Sequence, residues 1–136
     1  MNEELKRSII LDNYENPSNW GNPNSNDYTL KNTNNVSCID NINLYIKLKD
    51  NIVEDIKFEG EACAICISTT SIMTKLLIGK TKEEAKTVIG NYFNMIEELP
   101  YDKEALKEAN AYSEIYKQPS RKKCATLTWN GVNEIL

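Results

Sequence analysis

The chain has 136 residues, 40% apolar and 26% charged, enough for one core without disulfides, since domains of roughly 100–150 residues bury about two-thirds of their unfolded surface. Sixteen basic against twenty acidic side chains give a net charge of −4, which argues against the basic face a nucleic-acid binder uses to displace counterions. Histidine is absent, which excludes Ser-His-Asp and Cys-His nucleophilic sites, HExxH zinc sites and Cys2His2 zinc sites. The longest apolar run, Ala62–Ile67, has six residues against the ~20 of a membrane span. Met1-Asn2-Glu3-Glu4 opens no signal-peptide core. The expectation is a single domain over residues 1–136, cytosolic, with neither nucleic acid nor membrane as a partner.

Residues 3–14 are predicted to form a short amphipathic helix, with Leu5 and Ile9, and Ile10 and Tyr14, at i,i+4 spacing and Pro17 ending it. Residues 13–35 hold nine asparagines with Pro17, Gly21 and Pro23 and no hydrophobic period, the composition of a mobile surface loop that Trp20 and Tyr28 can pin to the domain. Thr29–Asn34 is compatible with a short strand. Ile42, Leu44, Ile46 and Leu48 alternate with polar residues, a half-buried strand. Asp50-Asn51 turns the chain, and residues 52–58 return as its antiparallel partner. From Gly60 the pattern becomes helical. Residues 64–77 are apolar on more than one side, a largely buried helix with Gly79 placed to stop it.

Thr81-Lys82-Glu83-Glu84 is a capping box, and Ala85, Val88, Ile89, Tyr92, Phe93 and Ile96 follow at helical spacing until Pro100. Asp102 can cap a short helix over 103–110, and Pro119 precedes a last helix with Cys124, Leu127, Val132 and Ile135. A helix, then strands, then helices indicates an α+β fold: a small antiparallel sheet of about three strands with helices packed on one face.

Four cysteines are left to explain. Cys38 lies just before the first alternating strand, Cys63 between the second strand and the buried helix, and Cys124 in the first turn of the C-terminal helix, so all three can meet at one end of the sheet. A helix N-terminus favours the thiolate, and Arg121, Lys122 and Lys123 add positive potential beside Cys124. Asp40 lies two residues after Cys38, so on extended backbone both side chains point the same way. Cys38, Asp40, Cys63 and Cys124 can therefore supply three sulfurs and an oxygen to one metal. Scattered free cysteines also simply pack in cores, and both readings stay open on spacing alone. Cys63-Ala64-Ile65-Cys66 is formally a CxxC dithiol, but it follows a hairpin and has no intervening proline. Cys66 reads as a small packed residue able to form a disulfide with Cys63 on oxidation.

Three cysteine-centred segments carry a resemblance. Val36-Ser37-Cys38-Ile39-Asp40-Asn41-Ile42 is similar to N-P-S-C-G-D-x-I. Phe58-Glu59-Gly60-Glu61-Ala62-Cys63-Ala64-Ile65 is similar to F-x-G-x-G-C-A-I, continued by Ser71-Ile72-Met73-Thr74. Residues Arg121 to Trp129 are similar to R-x-K-C-A-T-L-x-W. In that order, over about Leu11 to Trp129, they resemble the U-type iron–sulfur cluster assembly family of IscU, SufU and the NifU N-terminal domain. Lys123 stands where the IscU type has histidine, no L-P-P-V-K segment is present, and the stretch between Cys63 and Cys124 is long, as in the SufU branch. Arg121 stands where that branch has an arginine near the site. Val36, Ile39, Ala62 and Cys66 replace the family's Pro, Gly, Gly and Ser.

The resemblance implies a zinc ion on Cys38, Asp40, Cys63 and Cys124. It also implies receipt of persulfide sulfur from a SufS-like cysteine desulfurase and its passage to downstream iron–sulfur assembly proteins. Cys38, on a loop, is the expected sulfur acceptor, with Cys124 second and Arg121 as charge support. The alternative within the family is a scaffold assembling a [2Fe–2S] cluster on Cys38, Cys63 and Cys124. The alternative outside it is a zinc-stabilised interaction module without sulfur transfer.

Overall fold

The computed structural model describes residues 1–36 and 38–136. Helix α1 (Glu3–Glu15) starts at Asn2, whose side chain accepts the Leu5 N–H at 2.8 Å, and carries Glu3 and Glu4 in its positive first turn. Of its expected apolar stripe, Ile9 and Ile10 pack on the core, while Leu5 and Tyr14 stay largely exposed. The buried residue of α1 is Asn13, which donates to Ile9 O at 2.9 Å and accepts from Ser71 Oγ at 2.8 Å. Polar contact through Asn13 thus joins hydrophobic contact through Ile9 and Ile10 in holding this helix.

The Asn-rich tract is more structured than its composition suggests. Residues 13–15 belong to α1 and 29–34 to strand β1 (Thr29–Asn34), which leaves 16–28 irregular. That segment is fastened rather than loose. Ser18 N donates to Ser71 Oγ at 2.9 Å and Asn19 Nδ2 to Thr74 Oγ1 at 2.8 Å. Gly21 N donates to Phe58 O at 2.8 Å and Phe58 N to Asn19 O at 3.1 Å. The Trp20 ring meets Phe58 edge-on with centroids 5.3 Å apart, and Tyr28 Oη donates to Asp55 at 2.6 Å. Asparagine suits this path because its amide bonds side chains and backbone alike, and it tolerates the positive φ found at Asn19 and Asn24.

Strands β1, β2 (Asn41–Lys49) and β3 (Ile52–Glu61) form one antiparallel sheet in sequence order. Positive φ at both Asp50 and Asn51 gives the primed turn that matches strand twist. A register shift after Lys47 brings Leu48 opposite Val53. Strand β3 runs three residues beyond the expected 58, because Gly60 continues the pairing opposite Ile42. Ile42, Leu44, Ile46, Val53, Ile56 and Phe58 are all buried beneath the helices, the arrangement expected of the α+β class.

Helix α2 (Ala64–Leu77) is the centre of the helical layer, and Gly79, at φ +90°, follows its end. It buries five hydroxyls, Ser68, Thr69, Thr70, Ser71 and Thr74. Ser68 bonds Tyr112 at 2.5 Å, Thr69 bonds Tyr92 at 2.8 Å and accepts from Trp129 Nε1 at 2.9 Å, and Thr70 bonds Thr128 at 2.7 Å. Among the described residues no buried side-chain nitrogen or oxygen lacks a partner, so the polar interior stabilises this packing instead of opposing it. The network ties α2 to α3 (Lys82–Ile96) and α5 (Lys122–Ile135), where Tyr92 stacks on Trp129 at 3.8 Å. Helix α5 lies close on the sheet at Gly131, where a Cβ would stand 2.5 Å from Thr33 Cγ2.

The expected 103–110 helix divides. Helix α4 (Lys103–Leu106) ends where Lys107 takes φ +45°, and a 3-10 turn follows over Lys107–Tyr112. Asn110 Nδ2 bonds the carbonyls of Lys103 and Lys107, which holds the break. Among the described residues no helix is long and apolar enough to cross a membrane.

Candidate metal centre

The end of the sheet opposite the Asp50-Asn51 turn collects three chain segments. Gly60 makes this possible. At φ +143° a Cβ there would lie 2.1 Å from Asn41 O, so only glycine lets β3 close on the start of β2 where Asp40 and Cys63 leave the sheet. Asp40, 1% exposed, accepts the Cys63 N–H on Oδ1 at 2.8 Å, and its Oδ2 lies 4.0 Å from Cys63 Sγ. Cys38 sits in a turn, its N–H bonded to Asn35 O at 3.0 Å, and Asn35 N–H bonds Asp40 O at 3.0 Å. Cys63 is the N-cap of α2 and Cys124 the third residue of α5.

One ligand atom from each of Cys38, Asp40, Cys63 and Cys124 lies within 4.8 Å of the others. Zinc–sulfur bonds of about 2.3 Å in a tetrahedron put ligand atoms roughly 3.8 Å apart, so closing on an ion needs shifts of no more than about 1 Å. The donor set also fits. Three soft thiolates and a carboxylate suit zinc or iron–sulfur chemistry far better than calcium or magnesium. Asp40 is buried with no ion pair among the described residues, an arrangement in which a cation supplies the compensating charge.

The electrostatics point the same way. Burial pushes the Cys124 thiol up first, and its hydrogen bonds with Asp40 and Cys63 push it further. Burial likewise raises Cys63, the Asp40 charge adds to this, and the Cys66 N–H opposes it. These causes favour the protonated thiols, and a cation held here would have to displace those protons.

The four residues singled out from spacing are thus neighbours. Arg121 closes the 3-10 turn Pro119–Arg121 ahead of α5 and is exposed, and Lys123 is exposed on α5. Cys66 is fully buried in the first turn of α2 beside the cluster, outside the four-ligand set. Gly60 was not singled out for the site. Its legible signal was its match to the first glycine of the F-x-G-x-G-C-A-I segment.

Fold and site together define a small α+β domain with a thiolate–carboxylate centre at one sheet end. Residues 5–127 match the family described as NifU-like N terminal domain. The Bacillus subtilis protein described as zinc-dependent sulfurtransferase SufU is 38% identical over 133 residues, covering 97% of this chain and 89% of that protein. An iron–sulfur cluster assembly scaffold protein IscU of Streptococcus pyogenes is 40% identical over 105 residues, covering 76% and 65%. Among solved structures, FiSufU from Fervidobacterium islandicum AW-1 superposes with a TM-score of 0.84 at 27% identity over 98% of each chain. The chain belongs to the NifU-like N-terminal domain family, within which it is similar to SufU and IscU proteins.

Proposed function

We propose that this chain, as one domain over residues 1–136, is a cytosolic iron–sulfur cluster assembly protein. In this reading it holds zinc on Cys38, Asp40, Cys63 and Cys124, accepts sulfur from a SufS-like cysteine desulfurase, and passes it to downstream assembly proteins. The observation that carries this is the meeting of three sulfurs and one buried carboxylate within 4.8 Å, in a chain 38% identical to a zinc-dependent sulfurtransferase. Bound zinc keeps the sulfurs as thiolates at neutral pH and ties three chain segments together.

Cys38 is the acceptor in this reading. It is half-exposed on a turn, between Val36 and Ile39, which are 97% and 68% exposed, whereas Cys124 is 1% exposed on a helix. A turn opens at lower cost than a helix start. The Cys38 thiolate attacks the outer sulfur of the donor's cysteine persulfide. The donor S–S bond breaks, its electron pair leaves on the donor cysteine as thiolate, and the outer sulfur with its proton stays on Cys38. Asp40 and the Cys66 N–H hold Cys63 in place meanwhile, and exposed Arg121 offers positive charge to the incoming persulfide. Desulfurase turnover measured with and without this chain tests the reading. Stimulation lost in Cys38→Ser supports it, and equal sulfur acceptance by Cys38→Ser overturns the assignment.

The scaffold reading is favoured by the 40% identity to an IscU scaffold protein, with a [2Fe–2S] cluster as cargo on Cys38, Cys63 and Cys124. Metal and labile sulfide content of anaerobically purified protein separates the two. Colourless protein with zinc and no sulfide fits sulfur relay, and brown protein with iron and sulfide fits the scaffold.

A further inference from the structure

The Cys66 thiol has no part in that chemistry, yet Cys66 stands three residues from Cys63 at the start of the same helix. Cys63 has extended N-cap dihedrals, φ −70° and ψ 165°, and its Sγ accepts the Cys66 N–H at 3.5 Å. Residues three apart on a helix have Cβ atoms roughly 5–6 Å apart, about 1 Å beyond the disulfide range. As N-cap, Cys63 lies outside the helical path and can close that gap with its own backbone. Cys66 is fully buried, its backbone carbonyl accepting from Thr70 Oγ1 at 2.7 Å, while Cys63 is half-exposed. Oxidant therefore reaches Cys63, and closing the bond takes a small backbone shift at Cys63 together with rotation of the Cys66 side chain. Of the thiols around Cys63, Cys38 and Cys124 belong to the ligand set and Cys66 does not.

We propose that Cys63 and Cys66 form a reversible redox pair whose disulfide withdraws Cys63 from the metal centre and releases the ion. With a peroxide as oxidant, the Cys63 thiolate attacks one peroxide oxygen, the O–O bond breaks, and one water leaves after protonation. Cys66 sulfur then attacks the sulfenic sulfur, the S–O bond breaks, and a second water leaves. Two thiols lose two protons and two electrons, and the peroxide becomes two waters. Closing so short a loop costs little chain entropy. It also spares Cys63 from irreversible oxidation to the sulfinic acid. Cys38, Asp40 and Cys124 remain as an incomplete set. The disulfide rests on the two cysteines alone; its coupling to metal release rests on the metal-centre reading.

The test treats full-length, zinc-supplemented protein with hydrogen peroxide at about two equivalents or slightly more per chain, enough for the sulfinic acid expected of the variants, follows zinc with a chromophoric chelator, and maps cysteines by alkylation and tryptic mass spectrometry. Cleavage after Lys57 and Lys75 leaves Cys63 and Cys66 in one peptide and Cys38 and Cys124 in two others. The expected product is that single peptide short of two hydrogens, formed in step with zinc release and reversed by a dithiol. Cys66→Ser, with Cys66→Ala as a second variant, is expected to lose this product, take Cys63 on to sulfinic acid, and release zinc about fivefold more slowly. Peptides cross-linked through Cys38 or Cys124, or equally fast reversible release from both variants, overturn the proposal. If the protein takes up no zinc, the metal-centre reading falls, and the same mapping on chelator-treated protein still decides the disulfide.

Discussion

At one end of the sheet Asp50 and Asn51 turn β2 into β3, Ile52 bridges Thr81, and the Thr81–Glu84 capping box closes α3 with bonds of 2.9 and 3.1 Å. Asn51 Nδ2 also donates to Glu83 Oε2 at 2.8 Å there. At the other end Gly60 presses β3 onto β2, and a carboxylate 1% exposed stands among three cysteines, two of them with raised thiols. Both ends join the same two strands. One is finished by hydrogen bonds, and the other concentrates charge and protons that a cation can replace. One hairpin thus has an end closed by hydrogen bonds and an end arranged as a candidate metal centre.

The comparison breaks most readily at the metal. Chelating the zinc-loaded protein is expected to lower its melting temperature by on the order of 10 °C, with the loss of structure, read by hydrogen exchange, confined to the Cys38 turn and the starts of α2 and α5. Equal protection at both ends before and after chelation would show the ends to be equivalent. Gly60→Ala comes next, at about 2–4 kcal/mol from the clash with Asn41 O and the strained φ. It should weaken zinc binding as well as folding in a paired denaturation and titration experiment.

Thr81→Ala, at the hydrogen-bonded end, is expected to cost about 1 kcal/mol through the lost cap and to leave zinc affinity unchanged. A drop in affinity there would join the two ends energetically.

The smallest effect concerns pH. The hydrogen bond to Asp55, followed by burial, pushes the Tyr28 hydroxyl up to about 12 from its ordinary 10. A raised acid favours its neutral form, so the contribution is complete below about pH 10 and is lost as pH rises toward 12. Tyr28→Phe should flatten that limb of the stability curve while leaving the metal centre untouched.

Strand alternation in β2, the capping box at Thr81 and the buried character of α2 were legible because each is a local pattern whose period or spacing is itself the physical cause. The cysteine-centred segments were legible too, since thiols at element boundaries are few and their order along the chain is informative. Composition misled where side chains act over distance. Asn13 and Asn19 read as loop residues until Ser71 and Thr74 appear as their partners. The break at Lys107 depends on Asn110 reaching two carbonyls. Residue types and local periods alone determined most of the elements, the one-sided sheet and the list of possible ligands. Only the tertiary structure decided that Cys38, Asp40, Cys63 and Cys124 meet while Cys66 stands aside. Convergence of residues 86 positions apart depends on how closely β3 closes on β2 at Gly60 and how α2 and α5 pack through buried hydroxyls, neither of which is a property of any one segment.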